Sequence, residues 1–235
     1  MNEAARTREQ FYGRRRGRPL RAGQRERQAA LLPQLSFELP AGGQQLDPPR
    51  LFAPPAQEVW LEIGFGGGEH LAAQAERHPE IGFIGCEVFA NGIVKLLGEI
   101  DRRGLDNIRI YPNDARPLLT ALPPRSIGRV FILFPDPWPK ARHHKRRLIA
   151  PVTLDRLAEI MTDGAELRLA TDDPSYLAWM LEHTTAHPAF SWSARRAADW
   201  RERSPDWPAT RYELKARKAG RAPAFLRFAR RARPC

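Results

Sequence analysis

Short apolar runs alternate with amphipathic segments through the middle of the chain. The apolar runs are strand-like and cover residues 59–63, 81–86, 108–111, 130–134 and 165–170. Each is followed by a helix-like segment, at residues 69–77, 91–103, 116–122, 153–161 and 174–187. Nearly continuous apolar strands separated by helices predict an α/β fold whose parallel sheet is covered on both faces through right-handed crossovers.

The C-terminal part departs from this alternation. Residues 190–193 and 224–229 predict two more strands, with an arginine- and tryptophan-rich stretch between them. Thr210 and Glu213 have the spacing of a capping box, which predicts a short helix from there to Lys218 that stops at Gly220.

The net charge of +11 is concentrated at the two ends and in one internal loop. Residues 1–27 carry nine arginines against three acids, and residues 201–235 carry eleven Arg or Lys against three acids. Three basic clusters that a compact fold can bring to one face favour a polyanion partner. We predict a disordered basic extension over residues 1–30, an extended lead-in over 31–56, and one catalytic domain over 57–235.

Cysteine content and hydropathy indicate in which cellular compartment the protein works. Two cysteines cannot form a disulfide framework, and no apolar run approaches the ~20 residues of a membrane span. We therefore expect a cytoplasmic protein with no membrane association.

A glycine loop follows the first predicted strand, with Glu62 at the strand end and then Gly64 and Gly66. A dinucleotide fingerprint requires glycine at position 69, but Glu69 stands there and would oppose a pyrophosphate. These acidic residues suit a cationic nucleoside such as S-adenosylmethionine, although a tight turn without a ligand would explain the glycines as well.

Polar groups also follow the second and third strands. Glu87 can accept both ribose hydroxyls of a nucleoside. Asn113, Asp114 and Ala115 follow strand three, where an adenine amino edge would lie, although a helix cap would also account for Asp114. Three strand ends that present polar groups to one crevice favour a cofactor site.

The fourth strand ends in residues 134–140, which read FPDPWPK. Asp136 can accept hydrogen bonds from N1–H and N2–H of guanine and so direct N7 toward the cofactor, with Trp138 available for stacking and Lys140 for a phosphate. A rigid turn with a capping aspartate is the simpler alternative. Adjacent His143 and His144 within a basic run are a weak metal signal, so we predict no metal.

The motifs together resemble the bacterial tRNA (guanine-N7)-methyltransferases. They include the glycine loop, GCEVFANGI at 85–93, NDA at 113–115, FPDPWPKARHHKRR at 134–147, TDDPSYL at 171–177 and TRYELKA at 210–216. The resemblance implies a class I, Rossmann-like doubly wound sheet, mostly parallel with one antiparallel C-terminal strand. It also implies transfer of a methyl group from S-adenosylmethionine to a guanine in the variable loop of tRNA.

The same resemblance assigns residues to roles. Glu62, Glu87, Asp114 and Asp136 match cofactor contacts, and Asp136 also matches the catalytic position. The substrate-binding positions are matched by Lys140, Asp172, Thr210, Arg211, Tyr212 and Glu213. The RNA-contacting segment is matched by Arg142, His143, His144, Lys145, Arg146 and Arg147. Arg211-Tyr212 replaces the usual Lys-Phe, and the arginine-rich N-terminus is not part of the motif set.

Two rival functions remain open at this level. An adenine-N6 nucleic-acid methyltransferase also carries a proline-rich aromatic motif after its fourth strand. A non-catalytic RNA-binding protein could retain the fold without activity, although acidic residues at three strand ends argue against it. The sequence predicts no particular oligomeric state.

Overall fold

The computed structural model describes residues 13–234. Within these residues, seven strands form one sheet, and their bounds are β1 Glu58–Ile63, β2 Ile81–Cys86, β3 Ile108–Tyr111, β4 Ile127–Leu133, β5 Met161–Thr171, β6 Phe190–Trp192 and β7 Ala224–Arg230. The order across the sheet is β3-β2-β1-β4-β5-β7-β6. Strands β1 to β5 are parallel, and β7 runs antiparallel to both of its neighbours. The predicted fold class is confirmed.

Helices cover both faces of this sheet. In the described part of the chain they are α1 Ala22–Leu35, α2 Glu69–Arg77, α3 Ala90–Arg103, α4 Ala115–Ala121, α5 Pro151–Ile160, α6 Pro174–Ala186, α7 Ala198–Arg201 and α8 Arg211–Lys218. Three short 3-10 helices lie at Ala41–Gly43, Pro48–Leu51 and Ala141–Arg146. Val130 and Ile132 enter one core cluster, whereas Phe131 and Leu133 enter the other. Burial on both faces explains why β4 reads as a continuous apolar run.

Strands β4 and β5 are longer than their apolar runs predict. β4 begins at Ile127 and includes Arg129, which is paired with Glu166 across the sheet. Polar residues in these extensions pair with the neighbouring strand but interrupt the apolar pattern. The full length of the two strands was therefore not predicted from the sequence. The predicted last residue of the strand, Phe134, has left it, because its φ is 52°.

The N-terminal part differs from the predicted disorder and extended lead-in. Residues Ala22–Leu35 form helix α1, although no residue of α1 is fully buried. Leu31, Leu32 and Leu35 pack against one core cluster, and Arg27 pairs with Asp101 of α3 at 3.2 Å. Contacts with α3 stabilise this helix, which explains why its weak periodicity did not predict it. Residues 1–12, also predicted to be disordered, lie outside the described residues.

Candidate active site

A cavity of about 360 Å³ opens at the carboxyl ends of the parallel strands. Its lining includes Gly64 after β1, Glu87 after β2, Asp114 after β3 and Asp136 after β4. β1 lies between β2 and β4, so the strand order reverses beside it. Ligands of open α/β sheets bind at this kind of switch point, and the cavity brings together residues that the sequence assigned to cofactor and to substrate.

The glycine loop forms the floor of the cavity through two conformationally demanding positions. Gly64 and Gly66 have φ values of 75° and 57°, which favour glycine. A Cβ on Gly66 would lie 2.8 Å from Cε2 of Tyr212, whereas a Cβ on Gly64 would meet no atom within 4 Å. The backbone at Gly64 is therefore open to a ligand, and Gly66 allows the Tyr212 ring to approach.

Glu87 connects the glycine loop to the end of β2. Its Oε2 accepts a hydrogen bond from Gly66 N at 2.8 Å, and its Oε1 accepts from Val88 N at 2.7 Å and Phe89 N at 2.9 Å. Burial raises the pKa of Glu87 above its ordinary value, the nearby Asp136 adds to this, and the three backbone donors act in the opposite direction. A carboxylate has about four acceptor sites, so one remains for a ligand hydroxyl.

Glu62 does not line the cavity, contrary to the prediction that it faces a cationic ligand. Its Oε2 lies 2.7 Å from Nδ1 of His70, and both side chains are buried. The ring of His70 in turn packs against Phe131 with centroids 4.7 Å apart. Glu62 thus joins the end of β1 to the first turn of α2.

Asp114 caps a helix and also lies at the cavity. It is the N-cap of α4 and accepts a hydrogen bond from Arg116 N at 3.1 Å, while its residue also lines the cavity. Asn113 and Ala115 line the cavity as well. The polar groups that the sequence placed after β3 are therefore brought beside Glu87.

The segment after β4 turns sharply around Asp136. Phe134 and Trp138 both adopt positive φ, at 52° and 45°, although neither is glycine. Such conformations cost about 1–3 kcal/mol each and persist where the surrounding structure holds them. Asp136 lines the cavity and is itself exposed, and its partial enclosure raises the pKa of its carboxyl group. The chain turns sharply here, and Asp136 lies on this turn at the cavity.

Arg147 holds this turn from behind and is not available to RNA. Its side chain is 2% exposed, with Nε donating to Pro137 O at 2.9 Å and Nη2 donating to Ser175 Oγ at 2.7 Å. A guanidinium this deeply buried has no surface for a phosphate. The sequence grouped Arg147 with its basic neighbours because a charge run does not indicate which members face inward.

The rest of the basic segment lies nearer the surface. Arg142 and Lys145 are exposed, and Lys140 is exposed without lining the cavity. Arg146 lines the cavity, and its guanidinium lies 4.9 Å from the Trp138 ring. Only part of the predicted RNA-contacting segment therefore faces outward.

The histidines of this segment contact aromatic rings. The ring of His143 lies edge-on to Trp138 at 5.9 Å, and that of His144 lies edge-on to Trp179 at 5.5 Å. Across residues 13–234, no group of three His, Cys, Asp or Glu side chains could hold a metal ion.

Asp172 is engaged in an ion pair. Its Oδ2 accepts from Arg221 Nε at 2.6 Å, and it does not line the cavity. The prediction that Asp173 caps the following helix is confirmed, because it accepts from Tyr176 N at 2.8 Å. Although Asp173 forms the cap, Asp172 does not point into the cavity, because it pairs with Arg221 in the segment before β7.

Helix α8 places one of its first residues in the cavity. Thr210 caps the helix, as the spacing predicted, by accepting from Glu213 N at 3.3 Å. Tyr212 lines the cavity and stacks on Phe134 with centroids 6.4 Å apart. Among the described residues predicted at 210–213, only Tyr212 lines the cavity.

The other polar residues at this end of α8 hold it in place. Arg211 forms an ion pair with Glu69 of α2. Glu213 is buried and pairs with Arg203 at 3.1 Å and with Arg217 at 3.0 Å. The Arg-Tyr replacement of the usual Lys-Phe thus gives a cation that ties α8 to α2 and a ring that enters the cavity.

Sequence reasoning missed the N-terminal contribution to the site. Gly13 and Arg14 line the cavity, and Arg116 does so from the first turn of α4. The run of arginines at 14–16 indicated charge but carried no signal of its location.

No helix in the described part of the chain is long and apolar enough to cross a membrane.

Solved structures of two RNA methyltransferases share this fold. The 16S rRNA methyltransferase KamB matches with a TM-score of 0.53 and 17% identity, covering 75% of this chain and 89% of that one. A mutant of the 16S rRNA (adenine(1408)-N(1))-methyltransferase from Catenulisporales acidiphilia, solved with its cosubstrate SAM, matches with a TM-score of 0.55 and 18% identity, covering 84% and 99%. The sheet, with its glycine loop and acidic strand ends, defines a class I methyltransferase fold.

Similarity in sequence identifies a family within this class of methyltransferases. A family described as "Putative methyltransferase" matches residues 56–226. The tRNA (guanine-N(7)-)-methyltransferase of Rhodospirillum rubrum is 56% identical over 95% of this chain and 88% of its own length. That of Paramagnetospirillum magneticum is 52% identical over 98% and 96%. The chain belongs to the tRNA (guanine-N7)-methyltransferase family.

Proposed function

We propose that this protein transfers a methyl group from S-adenosylmethionine to N7 of a guanine in the variable loop of tRNA. The observation that carries the proposal is a single cavity that joins Glu87 and Asp114 to Asp136 and to Arg146 of the basic segment. Residues suited to a nucleoside cofactor, to a purine base and to phosphate therefore meet at one place.

The cofactor half fits S-adenosylmethionine. Glu87 retains one acceptor site for a ribose hydroxyl after binding three backbone N–H groups, and Gly64 leaves its backbone open. Asn113 and Asp114 supply polar groups for the purine of the cofactor. When bound, the cofactor provides an electrophilic methyl group on a sulfonium. The chain holds the acceptor in line with that group and excludes water.

The base half orients guanine. An ionised Asp136 accepts hydrogen bonds from N1–H and N2–H of the base, and the Trp138 ring beside it offers a stacking surface. Guanine N7 has a lone pair and no proton to lose, so the chain needs no general base for this step. Tyr212 covers the cavity between the two halves, because it touches the glycine loop and stacks on Phe134.

Cations of the basic segment hold the polyanion. Arg142, Lys145 and Arg146 remain in the proposed RNA-contacting set, and buried Arg147 supports the turn instead. Because phosphate contacts dominate affinity for nucleic acids, these residues act on binding more than on base selection. We place the enzyme in the cytoplasm, where tRNA is modified, and Cys86 as a free thiol is compatible with this compartment.

The decisive experiment incubates unmodified tRNA with the protein and methyl-labelled cofactor, then identifies and maps the methylated nucleoside. We expect 7-methylguanosine in the variable loop. Label in N6-methyladenosine would replace the proposal with the adenine-specific rival. Absence of both label and cofactor binding, with tRNA binding intact, would indicate a non-catalytic RNA-binding protein.

A further inference from the structure

The N-terminal arm, defined as residues 13–18, forms part of the cavity wall. Gly13 and Arg14 line the cavity together with Glu87 and Asp114, although the arm lies about 70 residues earlier in the chain. We propose that the arm binds the nucleoside half of S-adenosylmethionine and that tRNA, by binding the arm's arginines, tightens cofactor binding. This inference rests on the proposed function and assigns a binding role to residues outside the family motifs.

The arm is attached through its backbone to the start of α3. Oδ1 of Asn91 accepts from Gly17 N at 2.7 Å, and Nδ2 of Asn91 donates to Arg18 O at 2.7 Å. A third bond runs from Ala90 N to Arg15 O at 3.0 Å. These contacts lie a few residues after Glu87, so the arm is held directly beside the proposed ribose site.

Gly17 permits this close approach. A Cβ at this position would lie 2.7 Å from Oδ1 of Asn91 and 2.9 Å from Cζ of Phe89. Neither distance leaves room for a side chain unless the arm moves away or the ends of the Asn91 and Phe89 side chains shift. A substitution at Gly17 should therefore disturb the contact with Asn91 that holds the arm.

The arginines of the arm connect the cavity to solvent. Arg14, Arg15, Arg16 and Arg18 are exposed, and Nη1 of Arg15 lies 3.5 Å from Oδ1 of Asn113 at the end of β3. Arg14 and Arg146 line the same cavity, so a phosphate backbone that reaches Arg146 comes within range of the arm. A bound polyanion would hold the arm against the cofactor site. Linkage then requires the cofactor to tighten tRNA binding by the same factor.

The first test measures the affinity of S-adenosylhomocysteine for the full chain by calorimetry. Asn91→Ala and Gly17→Ala should each weaken binding about tenfold, which corresponds to the loss of one or two hydrogen bonds that hold the arm. Two matched controls should bind normally. Lys95→Ala lies on the exposed face of α3, and Gly23→Ala introduces a Cβ that meets no atom within 4 Å. Thermal unfolding verifies that all variants are folded.

The second test repeats the titration with saturating tRNA. In the wild type, tRNA should tighten S-adenosylhomocysteine binding about fivefold or more, a typical coupling between two sites. Asn91→Ala, and a variant with the arm's four arginines changed to glutamine, should lose this effect.

The outcomes separate the two proposals. Failure of the wild type to bind S-adenosylhomocysteine would overturn the proposed function and this inference together. Normal cofactor affinity in both Asn91→Ala and Gly17→Ala would overturn the arm as a binding element and leave the proposed function intact. An unchanged affinity in the presence of tRNA would overturn the coupling.

Discussion

The proposed cofactor half and the proposed base half of the cavity are built in different ways. Glu87 is buried and receives three backbone N–H groups, so its position is determined by the main chain of two loops. Asp136 is exposed and lies on a turn whose residues Phe134 and Trp138 have positive φ. The first construction suits a small cofactor that is bound the same way each time. The second leaves a carboxylate accessible to a base presented by a large RNA.

The largest difference between the halves should appear on removal of the Asp136 charge. Asp136→Asn should lower the rate of methyl transfer roughly 100-fold or more, because the base loses its alignment with the methyl group. Affinity for tRNA should stay within about twofold, since phosphate contacts supply most of it. Single-turnover assays and binding titrations measure the two quantities, with the exposed Glu182→Gln as control. A near-normal rate would remove Asp136 from the mechanism.

Arg147 and Lys145, two residues of the basic segment, should have different roles. Arg147 supports the turn of the base half, and Lys145 binds RNA. Arg147→Ala should lower the free energy of unfolding by roughly 2–3 kcal/mol, because it removes a buried guanidinium that donates to Pro137 O and Ser175 Oγ. Lys145→Ala should leave that free energy within about 0.5 kcal/mol and reduce the slope of log affinity for tRNA against log salt by about 1. Denaturant unfolding and salt titrations measure these effects. If Lys145→Ala lowered the free energy of unfolding and Arg147→Ala changed only the salt dependence of tRNA affinity, the assignment of Arg147 to the interior and Lys145 to the surface would be wrong.

Glu87 tests the cofactor half. Glu87→Ala leaves three backbone N–H groups without their acceptor, so affinity for S-adenosylhomocysteine should fall about tenfold or more. Glu87→Gln keeps one carbonyl oxygen and should lose less. Calorimetry measures both variants, and tRNA affinity without cofactor serves as the internal control. Equal losses in the two variants would show that charge, and not the hydrogen bonds to the loops, determines cofactor binding.

The glycine loop offers a matched pair within the same half. Gly64→Ala and Gly66→Ala both place Ala at positive φ, which costs about 1–2 kcal/mol in each case. Gly66→Ala should lose about 1 kcal/mol more, because its Cβ meets the Tyr212 ring. Denaturant unfolding measures the difference, and adding Tyr212→Ala should abolish it. Equal stability of the two single variants would show that the ring yields without cost.

The pH dependence gives the smallest effect on stability. Enclosure raises the pKa of Asp136, so its proton is favoured in the folded state. That contribution to stability is present below the unfolded-state pKa and is lost as pH rises through the folded-state pKa. At neutral pH, Asp136→Asn should therefore unfold at an equal or slightly higher temperature than the wild type. Activity should show the opposite trend and fall as pH decreases through the same pKa. A lower unfolding temperature for Asp136→Asn would contradict this sign.

Periodicity and strand ends determined much of this protein at the level of sequence. The alternation of apolar runs and helices predicted five parallel strands, and polar residues after them located Glu87, Asp114 and Asp136 at one edge of the sheet. This worked because parallel strands place their carboxyl ends on the same side, so chain order alone brings these residues together. The N-cap at Thr210 was local as well, and it was confirmed, although the Glu213 side chain pairs with Arg203 and Arg217 and does not complete the capping box.

Only the tertiary structure decided where individual side chains point and what covers the site. Glu62 pairs with His70, Arg147 turns inward while Lys145 faces solvent, and α1 forms against α3 despite weak periodicity. The N-terminal arm reaches the cavity through Asn91, far away in sequence. Each outcome depends on a contact outside the local pattern, eight residues away for Glu62 and His70 and on other elements for α1 and the N-terminal arm. A local pattern of charge or hydropathy contains no information about which partner that will be.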